Sequence, residues 1–145
     1  MYWFSNQLDW IRFGRVSIHM SAPILIVEDH EIVRRALREL LEVKFSEYPV
    51  IETASGEEVF ALSLTEPPRL VIMDISLPGM SGIEATRKLR SSYPSTPILI
   101  FTVHEDSIYR QEAEAAGACA YVPKRALQND LLPQLTSILV DINGH

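Results

Sequence analysis

Three short runs in this chain are apolar at every position instead of alternating with polar residues. They are Ile24-Leu25-Ile26-Val27, Leu70-Val71-Ile72-Met73 and Ile98-Leu99-Ile100-Phe101. Unbroken runs of four suit strands covered on both faces, as in a parallel sheet flanked by helices. Two weaker segments read as further strands: Pro49-Val50-Ile51-Glu52-Thr53, placed nearer an edge because it is less apolar, and the short Cys119-Ala120-Tyr121-Val122. Between them the period changes to that of a helix. Val33, Ala36, Leu37, Leu40 and Leu41 form one apolar stripe, with Arg34, Arg35, Arg38, Glu39 and Glu42 on the other face. Ser55-Gly56-Glu57-Glu58 and Ser81-Gly82-Ile83-Glu84 are capping-box patterns. They predict one helix running to about Thr65 and another ending near Ser91-Ser92. A fourth helix is predicted from Asp106 to about Ala116, with Gly117 suited to its cap. The last carries Leu131, Leu132, Leu135, Ile138 and Leu139, with Pro133 in its first turn, where a missing N–H costs little. Strand and helix thus alternate about five times with short connections. The prediction is an α/β fold, a doubly wound five-stranded parallel sheet with helices on both faces.

The 145 residues fit one domain with a single core. A hydrophobic content of 47% excludes a disordered acidic chain. The net charge of -6, without any long Lys/Arg run, argues against direct nucleic-acid binding. No apolar stretch is long enough to span a bilayer, and no secretory pattern is evident. The lone cysteine, Cys119, excludes an internal disulfide framework and reads as a small core residue in a cytoplasmic protein. The first twenty residues stand apart. They hold Trp3, Phe4, Trp10 and Phe13, and Asp9 against Arg12 and Arg15 gives them +1, leaving -7 for the rest. Residues 1–21 are read as an extension that is disordered or non-native. A loosely ordered arm, or a short amphipathic helix presenting Trp3, Phe4, Leu8 and Ile11 to a partner or membrane, are the alternatives. Residues 22–141 form the domain and 142–145 a tail, too few for a second folding unit in this chain.

Candidate chemistry lies at the strand ends. The first strand ends at Glu28-Asp29, the third at Asp74, the fourth at Thr102 and the fifth at Lys124. In an open parallel sheet the crevice beyond the carboxyl ends of the strands is where ligands bind, so these groups gather on one edge. Taken singly each has a plain reading: a turn-starting Asp, a β-prone Thr, a solvated Lys, acids complementing a helix dipole. Together they make a site. Three carboxylates about 4 Å apart at an effective dielectric near 20 repel by roughly 4 kcal/mol per pair, so something cationic must offset them. Lys124 supplies one charge, and a divalent ion bound by oxygen ligands, Mg²⁺ or Mn²⁺, would supply more. An Asp carboxylate in such a site can accept a phosphoryl group as an acyl phosphate.

The segments Ile24-Leu25-Ile26-Val27-Glu28-Asp29-His30, Met73-Asp74-Ile75-Ser76-Leu77-Pro78-Gly79-Met80-Ser81-Gly82, Phe101-Thr102 and Tyr121-Val122-Pro123-Lys124 closely resemble the receiver domain of two-component response regulators. The resemblance covers about residues 22 to 141. His30 and the run Thr102-Val103-His104-Glu105 look most like receivers that precede helix-turn-helix output domains. It implies a flavodoxin-like sheet in the order 2-1-3-4-5, an order for which the family is itself the standard example. It also implies roles. Asp74 would take a phosphoryl group from a sensor histidine kinase or phosphotransfer protein. Glu28, Asp29, Asp74 and the backbone carbonyl of Ser76 would hold Mg²⁺, and Thr102 and Lys124 would bind phosphoryl oxygens. Tyr121 would be the switch aromatic that swings inward as Thr102 moves, with a core-edge aromatic as its plain reading. Ser76 and His104 would line the approach of the water that hydrolyses the phosphoryl group. The output surface would be the fourth helix, fifth strand and fifth helix, docking a downstream protein or a second receiver. One departure is the order Pro123-Lys124-Arg125, where many receivers have Lys-Pro with a cis peptide; that cis bond cannot form here.

The leading expectation is therefore a phosphorylation switch that catalyses its own phosphorylation and dephosphorylation but turns over no separate substrate. An aspartyl-phosphate phosphatase would carry a second Asp two residues past the nucleophile, where Ser76 stands. A degenerate receiver acting as a scaffold is the other alternative; the intact acid pair, Asp74, Thr102 and Lys124 argue against it.

Overall fold

The computed structural model describes residues 22–142. The extension expected at residues 1–21 and the tail beyond 142 lie outside them. Five strands, β1 Ile24–Val27, β2 Val50–Thr53, β3 Leu70–Met73, β4 Ile98–Thr102 and β5 Ala120–Pro123, form one sheet in the order β2-β1-β3-β4-β5. Every pairing is parallel. The three unbroken apolar runs are the three central strands. The two weaker segments are the two edges, each needing cover on fewer sides.

Five helices connect and follow the strands: α1 Glu31–Lys44, α2 Gly56–Phe60, α3 Gly82–Ser92, α4 Ser107–Ala116 and α5 Leu132–Ile142. Alternate side chains of each strand point to opposite faces, and the helices divide accordingly. Ile24, Ile26, Leu70, Ile72, Leu99 and Phe101 face α1 and α5 through Leu37, Leu41, Leu135 and Leu139. Leu25, Val27, Val71, Met73, Ile98 and Ile100 face α2, α3 and α4 through Val59, Ile83, Leu89 and Ala113.

Both capping boxes hold their helices: Ser55 Oγ accepts from Glu58 N (3.1 Å) and Ser81 Oγ from Glu84 N (3.2 Å). Gly117 closes α4 at φ 111°, a left-handed conformation that favours glycine.

Three local expectations change. The second helix stops at Phe60 rather than Thr65, because Leu62 and Leu64 both pack on the second core; a two-residue spacing suits irregular or extended chain, not a helix. The last helix is preceded by a 3-10 turn, Lys124–Ala126, and a π turn, Leu127–Leu131, which place Ala126 and Leu131, five residues apart, in the same core. Cys119 is exposed, not a core residue; it precedes edge strand β5, where its N–H donates to Ile98 O (2.9 Å). Among the described residues no helix is long and apolar enough to cross a membrane.

Candidate functional site

The site begins with register. Val27 and Met73 are partners in the β1–β3 ladder, so Glu28 and Asp74, each one residue on, leave the sheet side by side. The chain is fixed there by two more ladder-like bonds, Asp74 N to Val27 O and Glu28 N to Thr53 O, both 3.0 Å. Thr102 ends β4 opposite Pro123 of β5, so Lys124 projects from the next position toward the same edge.

The side chains converge. Lys124 Nζ lies 2.8 Å from Glu28 Oε1 and 3.0 Å from Asp74 Oδ2. Oxygens of Glu28, Asp29 and Asp74 all lie within 4.8 Å of one another. Glu28 and Asp74 side chains are 2% and 3% exposed and Lys124 15%, whereas Asp29 is on the surface. Burial pushes the Glu28 carboxyl up, outweighing Lys124 and the His30 N–H that donates to its Oε2 (3.0 Å). Burial alone would lower the Lys124 ammonium, but the two carboxylates hold it above its ordinary range. Three carboxylates against one ammonium leave the cluster short of positive charge.

Glu28 Oε1 bears directly on whether a cation fits. It is buried and lies 2.8 Å from Lys124 Nζ, and since a carboxylate oxygen has two lone pairs, one is left to face a cation. An all-oxygen donor set with a buried carboxylate oxygen that has a lone pair to spare suits a hard divalent cation.

The remaining predicted residues gather at the mouth. Ser76 N approaches Asp74 Oδ1 at 3.4 Å. The Ser76 hydroxyl and the His104 imidazole Nε2 are hydrogen-bonded to each other. Thr102 is fully buried, and His104 N approaches its Oγ1 at 3.4 Å. The half-buried Tyr121 donates its hydroxyl to His104 O (2.8 Å), and the Arg110 guanidinium sits 4.7 Å from its ring centroid. The His104 ring lies against Tyr109 at 4.5 Å between centroids. Tyr121 is therefore coupled to the loop that follows Thr102.

Gly82 carries a constraint that the capping pattern around it did not reveal. A Cβ there would lie 1.8 Å from the backbone oxygen of Asp74 and 2.8 Å from Ile75 Cα. The helix α3 N-terminus thus packs directly on the backbone of the central acid. Arg34, by pattern one of several polar residues on the outer face of α1, also reaches the site: its Nη1 donates to Glu28 O (2.9 Å).

A parallel sheet in this order, with carboxylates and one lysine at the carboxyl ends of its strands, defines a receiver-type α/β domain. The response regulator receiver domain family matches residues 24–136, and the chain belongs to that family, a two-component signalling regulator domain. It is 39% identical over 122 residues to the transcriptional activator protein ExaE of Pseudomonas putida, covering 84% of this chain and 56% of that protein. It is 34% identical over 115 residues to the response regulator UvrY of Escherichia coli K12, covering 79% and 53%. Among solved structures it resembles a LuxR-family two-component response regulator from Aurantimonas (38% identity, TM-score 0.70, 86% of each chain). It also resembles a CheY-like receiver domain protein from Methanospirillum hungatei (28% identity, TM-score 0.76, 85% of this chain and 97% of that one). The chain spans about half the length of the curated relatives it matches.

Proposed function

We propose that Asp74 is the phosphoryl acceptor of a Mg²⁺-dependent signalling switch, fed by a sensor histidine kinase or a phosphotransfer protein. The observation that carries this reading is the position of Lys124 Nζ, 2.8 and 3.0 Å from two nearly buried carboxylates that share the sheet edge with a third. Glu28, Asp29 and Asp74, with the Ser76 backbone carbonyl, would hold Mg²⁺ or Mn²⁺. When bound, the cation neutralises charge on the phosphoryl oxygens. An Asp74 oxygen attacks phosphorus, the P–N bond of a phosphohistidine donor breaks, and its electron pair stays on the imidazole nitrogen. Lys124 then moves from carboxylate partner to phosphoryl partner, and the Thr102 hydroxyl donates to another phosphoryl oxygen.

Phosphorylation adds about -1.5 to -2 charge at one point. Drawing Thr102 toward it strains the His104 loop, and through Tyr121, bonded to His104 O, reaches α4, β5 and α5. Val103, Ile108 and Val140, all exposed, lie in or beside that surface, which we assign to a downstream protein or a second receiver. Ser76 and His104 flank the line along which water reaches the acyl phosphate. A relative named as a transcriptional activator is consistent with a regulator of transcription whose DNA contacts are made outside this domain.

The test is incubation with acetyl phosphate and Mg²⁺ followed by intact mass measurement. One phosphate adduct is expected, labile at alkaline pH and lost in Asp74→Asn. A chain that gains no adduct under any metal or donor condition is a scaffold, and the switch reading is then wrong.

A further inference from the structure

Asp29 is a surface residue, and among the described residues no hydrogen bond or ion pair holds its carboxylate. Its direction therefore depends on the backbone on either side. The peptide unit joining Glu28 to Asp29 lies one step beyond the last ladder pairs of β1, Val27 with Thr53 and with Met73. No strand N–H reaches its carbonyl oxygen. The partner of that oxygen is Arg34 Nη1, at 2.9 Å.

Arg34 is itself held. Its Nε pairs with Glu52 Oε1 at 3.3 Å, and Arg38 Nη1 grips the other Glu52 oxygen at 2.8 Å while its Nε pairs with Glu42 at 3.2 Å. Arg34 is largely covered. It also sits at the end of the first turn of α1, where a cation opposes the helix dipole. Helix stability alone gives no reason for an arginine there. A planar guanidinium that spans a carbonyl on one side and a carboxylate on the other does.

Resting on the metal reading of the site above, we infer that Arg34 is a positioning residue for the acid pair: its fork between Glu28 O and Glu52 fixes the Glu28–Asp29 peptide plane, and so aims the Asp29 carboxylate at the cation. Charge and position make opposite predictions. As a mere positive charge beside an acidic cluster, Arg34 repels a divalent cation, and its removal tightens binding. As a positioning group, its removal loosens binding.

The experiment is Mn²⁺ binding to the full chain by titration calorimetry, with Arg34→Gln, Arg34→Lys, Arg35→Gln and Asp74→Asn beside the parent and a thermal melt of each. Outer partners of metal ligands typically change affinity by about tenfold or more. A loss of about that size is expected for Arg34→Gln. Arg34→Lys, which keeps the charge and loses the fork, should lose binding as well, and it carries the test if the Gln variant does not fold. Arg35→Gln, which removes a charge from the same helix and disturbs only an exposed pair with Glu31, should bind as the parent does. Parent-like or tighter binding by either Arg34 variant overturns the inference, as does an equal loss in Arg35→Gln. A parent that binds no Mn²⁺, or binds it equally after Asp74→Asn, overturns the metal reading itself and this inference with it.

Discussion

Replacing Lys124 by Met removes the ammonium while keeping most of the apolar stem. The outcome depends on which kind of ion pair Lys124 makes. Exposed pairs contribute about 0–1 kcal/mol, whereas removing one partner of a buried pair costs about 3–5 kcal/mol, because the other charge stays behind in low dielectric. With Glu28 and Asp74 side chains 2% and 3% exposed and Lys124 15%, the second regime applies. Two buried carboxylates would then face each other without a shared cation. We expect Lys124→Met to lose about 3–5 kcal/mol at pH 7.5, a large share of the roughly 5–15 kcal/mol available to a domain.

The pH dependence follows from two shifts. The Lys124 value is raised, so its stabilisation is fully present below the ordinary lysine range and disappears only as pH climbs through the raised value. The Glu28 carboxyl is also raised, by burial, so ionised Glu28 opposes folding above its folded value, and that penalty vanishes as pH falls toward the ordinary carboxyl range. Without Lys124 the Glu28 carboxyl moves higher still. The variant should therefore recover stability between pH 7.5 and pH 5 more steeply than the parent. A divalent cation can replace the missing ammonium, and Mg²⁺ at ten times its dissociation constant restores about 1.4 kcal/mol. Urea unfolding at several pH values, with and without Mg²⁺, reads all three effects. A loss under about 1 kcal/mol with no extra recovery in acid would mean that solvent screens the cluster, and the electrostatic reasoning would be wrong.

Two further outcomes can be checked on the same protein. Gly82→Ala places a methyl carbon against the Asp74 backbone oxygen. It should cost about 1–3 kcal/mol in denaturant unfolding, and also slow acetyl phosphate labelling, since the backbone forced to move is that of the acceptor; a parent-like labelling rate would show that the contact relaxes elsewhere. Ser76→Ala and His104→Ala each break the hydrogen bond at the mouth of the site. Each should shorten the lifetime of the phosphorylated chain, by roughly tenfold for about 1.4 kcal/mol of barrier, and decay at the parent rate in both would remove these residues from the path of water.

How much of this could be read from the chain follows from what each feature needs. A central parallel strand must be apolar on both faces, so β1, β3 and β4 are written as unbroken runs and β2 betrays its edge position by Glu52. Because parallel strands end together, five polar residues far apart in sequence fall on one edge once the strand order is known. Distances among Glu28, Asp74 and Lys124 are then set by the sheet rather than by any local motif. Lys124 reaches both carboxylates although Pro precedes it and Arg follows, because the 3-10 turn begins at Lys124 itself and the aim of the side chain is fixed by the end of β5.

Features that depend on packing across elements were illegible. Leu62 and Leu64 end a helix that the capping box starts well, because the core beside them takes alternate residues of an irregular segment. Cys119 looks like a core residue by composition, yet the sheet stops at β5 and leaves it uncovered. Arg34 is indistinguishable from Arg35 by pattern, one residue away on the same polar face. Yet Arg35 pairs only with Glu31 on the surface, while Arg34 grips the carbonyl behind the acid pair. That difference is a rotation of 100° around α1, and only the placement of α1 against the ends of β1 and β2 turns it into chemistry.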